Sequence, residues 1–213
     1  MNIVNNFKII YKTVNDLKRN VKIIAVSKTF SLDYIKPLID FGHLDYGENK
    51  VQEAKNKWSQ ILKTNSKIKL HMLGKLQSNK AEDAVNIFSF IHSLDNAKLA
   101  IKLAALEKKY NKRLKYFIQV NIAEEGQKSG VFLCDFKNFL MFCRKELKLD
   151  VIGLMCLPPI NVSSIKYFFL IRDLAIENNL SDLSMGMSHD YVDAIKCGST
   201  FVRIGSAIFG NRA

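Results

Sequence analysis

The run Ile23-Ile24-Ala25-Val26, followed at once by Ser27-Lys28-Thr29-Phe30, separates two α/β architectures. A short apolar run bounded by polar residues reads as a buried strand. In an open, doubly wound sheet the turn after such a first strand ordinarily carries a glycine-rich phosphate loop, and this turn has no glycine. Outward along the chain, seven more short apolar runs follow: Leu44 to Gly47, Leu70 to Gly74, Phe88 to Ser93, Tyr116 to Val120, Val151 to Met155, Leu183 to Met185 and Phe201 to Ile204. With Ile23 to Ser27 they make eight. Segments with apolar residues at i, i+3, i+4 spacing lie between them, such as Ala97 to Leu106 and Ile165 to Leu174. Strands that alternate with amphipathic helices are parallel and joined by crossovers, and eight such units can close into a ring. The predicted fold is therefore α/β, a single (β/α)8 TIM barrel. An extra helix precedes it, because Ile3, Val4, Phe7, Ile10, Tyr11, Val14 and Leu17 recur with a 3.6-residue period in the first twenty residues.

Composition narrows the class. A chain of 213 residues with three prolines (Pro37, Pro158, Pro159) and no Gly/Ser-rich linker reads as one domain over 1–213. No apolar run is long enough to cross a bilayer, so no membrane partner is expected. The N-terminus mixes charged and apolar residues and lacks a secretory cleavage pattern, which makes the cytoplasm the expected location. Cys134, Cys143, Cys156 and Cys197 form neither a C-x-x-C pair nor a metal-ligand rhythm, so they read as structural thiols in a reducing compartment, with no metal. The formal charge of +12 raises the question of nucleic acid. The lysines are scattered along the chain without a compact run, so a solvated basic surface is the better reading. Nucleic-acid binding, whose affinity would fall steeply with salt, is the outlying alternative.

In a barrel of this kind the chemistry gathers where strands end, at the C-terminal mouth. Strand one ends in Ser27-Lys28, which puts a lysine where burial can make its amine nucleophilic. The last strand runs into Arg203-Ile204-Gly205-Ser206, a tight turn that opens a short helix whose first N–H groups can meet an anion. Strand seven ends in Leu183-Ser184-Met185-Gly186-Met187-Ser188, adding two hydroxyls and a glycine beside that turn. Ser188 can also serve as N-cap of a helix over Asp190 to Cys197. Loops after strands seven and eight are the usual phosphate site of such barrels, and strand eight neighbours strand one. An amine and a phosphate cup side by side suit a phosphorylated aldehyde, pyridoxal 5'-phosphate (PLP), with Arg203 available to its ring nitrogen. A permanently charged arginine cannot accept the ring proton, so the pyridine would stay neutral and serve as a poor electron sink.

The stretches AVSKT at Ala25 to Thr29, DYGEN-VQEA at Asp45 to Ala54, LQSNK at Leu76 to Lys80, HSLD at His92 to Asp95 and NIAEEGQKSG at Asn121 to Gly130 together resemble one family. GLM at Gly153 to Met155, and LSMGMS followed by AIKCGSTFVRIGSAIFG up to Gly210, continue the likeness in the same order. The family is that of the PLP homeostasis proteins, PLP-binding proteins of the alanine racemase N-terminal-domain type. The resemblance implies a monomeric barrel with an internal aldimine at Lys28. It implies that Ser184, Met185 and Ser188, with Gly205 and Ser206, hold the phosphate. Arg203 would face the ring nitrogen, and Asn49 and Met155 would lie against the cofactor. It also implies a carrier and regulator of cellular PLP, with PLP-dependent apoenzymes as partners and no robust turnover. Lys50, Lys75 and His189 depart from the family's usual residues, at positions expected on the rim.

Racemisation needs an acid and a base on opposite faces of the substrate adduct. Lys28 supplies one. Related racemases draw the other, a tyrosine, from a further domain and a dimer partner, and the expectation here is slow or absent turnover. The competing reading is a PLP-dependent, racemase-like enzyme with Tyr46, His71 or His189 as the second catalyst. For Tyr46 and His71 a hydrogen-bonded core position is the plainer expectation, and for His189 the opening of a helix.

Overall fold

Each of the eight apolar runs forms a strand within one or two residues of its expected bounds. They are β1 (Lys22–Val26), β2 (Asp45–Glu48), β3 (Lys69–Met72), β4 (Phe90–Leu94), β5 (Lys115–Val120), β6 (Asp150–Cys156), β7 (Asp182–Ser184) and β8 (Phe201–Ile204). The computed structural model describes residues 2–159 and 162–210. Every strand is parallel to the next, and β8 closes on β1 through Lys22–Phe201, Ile23–Val202, Ile24–Arg203 and Ala25–Ile204. The result is a closed barrel in sequential strand order.

Period-two alternation splits the strand side chains into two populations. Ile23, Ala25, Leu70, Ile91, Ile118, Leu154, Val202 and Ile204 join the layer between barrel and helices. Ile24, Val26, Leu73, Phe90, Phe117, Met155 and Phe201 pack with one another in a separate cluster inside the barrel. The Phe117 and Phe201 rings meet edge to face at 5.1 Å, so the interior is a filled core and not a pore. Beneath them Lys22 reaches over the Phe90 and Phe201 rings, at 5.8 and 5.1 Å.

The outer ring consists of α2 (Leu32–Asp40), α3 (Val51–Thr64), α4 (Ala81–Ile87), α5 (Ala97–Tyr110), α6 (Leu133–Met141), α7 (Ile165–Glu177) and α8 (Tyr191–Lys196), with α9 (Ser206–Phe209) after the last strand. Side-chain caps start two of them: Ser31 Oγ accepts from the Tyr34 amide, and Asn96 Oδ1 from Leu99. The preceding helix α1 spans Ile3–Asp16, shorter than twenty residues, because the chain turns at Leu17 and Lys18 enters the left-handed region at φ 52. Ile3, Phe7, Ile10 and Val14 are its buried stripe, whereas Tyr11 is 54% exposed. Asn6 Nδ2 donates to Ile208 O at 3.0 Å and docks α1 on α9, beside the end of the barrel that carries the site.

Among the described residues no helix is long and apolar enough to cross a membrane, and no group of three or more His, Cys, Asp and Glu side chains is placed to hold a metal. The four cysteines are free thiols, three buried and Cys134 exposed.

Candidate functional site at the barrel mouth

Lys28 leaves β1 in a two-residue turn that is clamped on both sides. Ser27 Oγ donates to Glu48 Oε1 at 2.8 Å, and Lys57 Nζ donates to Ser27 O at 2.8 Å. Beyond Lys28, the Thr29 amide donates to Glu53 Oε1, and Thr29 itself takes a left-handed φ of 70°. The clamp residues come from the end of β2 and the first turns of α3, because DYGEN at Asp45 to Asn49 feeds directly into that helix. Glu48 is fully buried, and its Oε1 also accepts from Trp58 Nε1 at 3.0 Å and Lys57 Nζ at 2.9 Å. A buried carboxylate is tolerable there because a buried ammonium and two neutral donors converge on it. Half-buried Lys28 is thereby held at the mouth by hydrogen bonds to its two neighbours in sequence.

Across the β8–β1 seam, Ile204 gives way to Gly205 and the short α9. The Gly205 and Ala207 amides both point at Ser188 Oγ, at 3.3 Å each. A turn whose amides converge on one oxygen is suited to an oxyanion as well. Ser188 is therefore not the cap of α8. That position belongs to Asp190, whose Oδ1 accepts from the Met187 amide at 2.7 Å and whose Oδ2 accepts from Ser164 Oγ at 2.8 Å. Gly186 makes the preceding turn possible: its φ is +90°, and a Cβ there would fall 2.5 Å from Ala194 Cβ.

These elements line one cleft of about 840 Å³, within the range of small-molecule sites. Of the nine expected site residues, Lys28, Asn49, Met155, Ser188, Arg203, Gly205 and Ser206 line it. Ser184 and Met185 do not. Ser184 is still within β7, and its hydroxyl turns inward below the mouth to accept from Arg203 NH1 at 2.8 Å. Met185 is fully buried on the outer side, in the layer under the helices, and its amide donates to Phe201 O. Of the five residues expected to hold a phosphate, Ser188, Gly205 and Ser206 line the cleft.

Arg203 is 5% exposed and reaches the cleft from the barrel interior. NH1 donates to Ser184 O and Oγ, and NH2 donates to Cys156 O at 3.0 Å. A guanidinium has five N–H bonds, so two have no partner among the described residues. Burial lowers the Arg203 pKa from its ordinary value, and the nearby Asp190 carboxylate works the other way.

The opposite wall escaped the sequence reading. Gln119, Asn121, Lys128 and Ser129 come from the end of β5 and the loop behind it. Gln119 and Asn121 stand just where an apolar run gives out, the same signal that marks Lys28. Of the three departures from the family pattern, Lys75 and His189 line the cleft and are exposed, while Lys50 is exposed at the N-cap of α3. Of the three alternative second catalysts, only His189 is at the cleft. Tyr46 is fully buried against His43 and Trp58 in the outer layer, its hydroxyl without a partner among the described residues and its pKa raised by burial. His71 is inside the barrel, hydrogen-bonded at both ring nitrogens.

A closed parallel barrel with a lysine after its first strand and a Gly-Ser turn after its last defines a structural class, and comparisons with known proteins identify its family. The chain belongs to the family described as alanine racemase, N-terminal domain, whose profile matches residues 1–213. It is 34% identical over 216 residues to a pyridoxal phosphate homeostasis protein of Synechocystis, covering 92% of this chain and 94% of the relative. The pyridoxal phosphate homeostasis protein of Escherichia coli K12 is 33% identical over 201 residues, 90% of this chain and 86% of that one. Among solved structures, PipY of Synechococcus elongatus with PLP bound superposes with a TM-score of 0.84 at 31% identity, over 93% of this chain and 99% of that chain. An alanine racemase of Clostridium difficile shares the fold alone, with a TM-score of 0.76 at 14% identity; this chain covers 57% of it.

Proposed function

We propose that this protein binds PLP in the barrel-mouth cleft, with the cofactor held as a Schiff base on Lys28, and acts in intracellular PLP homeostasis as a carrier with little or no turnover. The observation that carries the reading is the meeting of Lys28, Arg203 and the Ser188–Gly205–Ser206 turn in one cleft. It is supported by relatives named for PLP homeostasis and by a PLP-bound structure in the same family.

PLP brings an aldehyde, a phosphate and a pyridine ring able to withdraw electrons. The residues fit such a group. Lys28 supplies the amine, which condenses with an aldehyde and releases water. Gly205, Ser206 and Ser188 supply donors to phosphate oxygens, and the two unpartnered N–H bonds of Arg203 can donate to a ring nitrogen. Because Arg203 carries no acceptor and stays charged, it can pair only with an unprotonated ring nitrogen and so favours the neutral pyridine. Asn49 and Met155 complete the walls. With Tyr46 and His71 away from the cleft and His189 on its exposed rim, no buried acid–base partner opposes Lys28 among the three candidates. A single barrel domain over 1–213, a cytoplasmic location, a monomeric state and exchange with PLP-dependent apoenzymes belong to the same reading.

Two measurements on one preparation test it. Lys28→Ala should abolish the covalent link yet retain weak PLP binding through the turn and Arg203, read by equilibrium dialysis. The wild type should convert L- to D-alanine far more slowly than an ordinary enzyme. Complete loss of binding in the variant would show the turn to be no phosphate site, and brisk racemisation would refute the carrier reading.

A further inference from the structure

The barrel interior contains a row of polar side chains that the proposed function does not use. Below Arg203, His92 Nδ1 lies 2.8 Å from Ser184 Oγ. His92 Nε2 lies 2.9 Å from His71 Nδ1, and His71 Nε2 lies 3.0 Å from Asp45 Oδ1. Ser184, His92 and His71 are fully buried, on β7, β4 and β3. Asp45 opens β2 at the mouth opposite the cleft, its side chain 20% exposed.

With both rings neutral, one assignment of protons satisfies all of these contacts, and both ends of the row impose it. A guanidinium only donates, so Ser184 Oγ accepts from Arg203 and gives its own hydrogen to His92 Nδ1. A neutral ring that accepts at Nδ1 carries its proton on Nε2, which donates to His71 Nδ1. His71 then carries its proton on Nε2 and donates to Asp45, and an ionised carboxylate only accepts. The groups facing this row agree with neutral rings. Burial depresses His71, with Lys22 and Lys69 adding to it and Asp45 opposing. Burial depresses His92 further, with His71 and Arg203 on its two sides. A proton added to His71 would set its Nδ1–H against the Nε2–H of His92 and drive His92 to its Nδ1–H form, reversing the direction of the row toward Ser184.

We propose that Ser184, His92 and His71 are positioning residues for Arg203, joined in a one-way hydrogen-bond chain that ends on Asp45 at the far mouth. The chain fixes the guanidinium through neutral acceptors. No carboxylate forms an ion pair with Arg203 among the described residues, so its charge is left for the cleft. Only the cofactor readout below rests on the PLP reading; the chain itself does not.

The ligand-free protein, labelled with nitrogen-15, gives the ring nitrogen shifts of each histidine. Near pH 7 both His71 and His92 should be neutral and carry their proton on Nε2. An Nδ1–H form or an imidazolium at either would overturn the chain. Ser184→Ala removes the hydroxyl that joins the row to Arg203. Loaded with PLP, this variant should hold the cofactor on the order of tenfold more weakly, as loss of a hydrogen bond to a charged group implies, and its visible band should shift. Ser93→Ala, which deletes a neighbouring buried hydroxyl that has no partner among the described residues, should match the wild type in both. A Ser184→Ala variant indistinguishable from the wild type would overturn the positioning role. A wild type that takes up no PLP would sink the cofactor reading, while the ring shifts still decide the chain.

Discussion

Lys57 is the residue on which the Lys28 turn depends most. Its side chain is 7% exposed, and its ammonium bridges Ser27 O, Glu48 Oε1 and Glu53 Oε1. Lys57→Met keeps most of the volume but leaves Glu48 buried without its cation. Breaking a buried pair in this way costs about 3–5 kcal/mol, so urea unfolding should show a loss of that size. Loading with PLP should also slow, because Ser27 is no longer held. An unchanged unfolding midpoint would mean that Glu48 is neutralised by other means. At this scale the sequence was legible wherever function follows from position. Lys28, Gly205 and Ser206 stand where apolar runs end, Arg203 is the one charged residue within the last of them, and each lines the cleft. Glu48 and Lys57 were not legible as a pair, because nine positions across a strand–helix boundary bring them together only once α3 has packed.

For the elements, facing is what sequence leaves open. In a strand a shift of one residue turns every side chain to the other face. Ser184 and Ser188 look alike beside a predicted phosphate turn. β7 ends at Ser184, however, so its hydroxyl points into the barrel, while Ser188 lies beyond the strand and faces the mouth. Met185 follows on the outer face. The same limit hid the meeting of His71 and His92, which needs the register of two strands as well as their inward facing. The link from β7 to α8 is open to disruption by a single change. Gly186→Ala would place a side chain at a φ of +90° and 2.5 Å from Ala194 Cβ. A left-handed non-glycine costs about 1–2 kcal/mol before the clash is counted. The variant should therefore lose at least that much stability in chemical denaturation and retain PLP less well than the wild type. Full stability in Gly186→Ala would show that the turn can relax.

Over the whole molecule, three buried or half-buried histidines set the response to acid. His43, His71 and His92 all have folded pKa values depressed below 6.5, chiefly by burial. Asp45, near His71, His43 and Lys22, is depressed below 3.8 despite its burial. Groups of this kind stabilise the fold above their unfolded values and lose that contribution as pH falls toward and through the folded ones. Stability should thus be greatest above about pH 6.5, decline first through the histidines, and fall again when Asp45 takes its proton. Denaturation midpoints measured across this range check it, and flat stability between about pH 7 and 5 would contradict neutral buried rings. Strand count, order and the extra N-terminal helix were legible throughout, because hydrophobic period alone specifies parallel crossover units.

Whether one lysine, Lys28, makes the covalent link to PLP can be read directly. Purified protein is incubated with PLP, reduced with borohydride, digested and mapped by mass spectrometry. The expected result is a pyridoxyl group on Lys28 alone, together with loss of the visible imine band. A modification on Lys75 or Lys128 across the same cleft, or none at all, would contradict it.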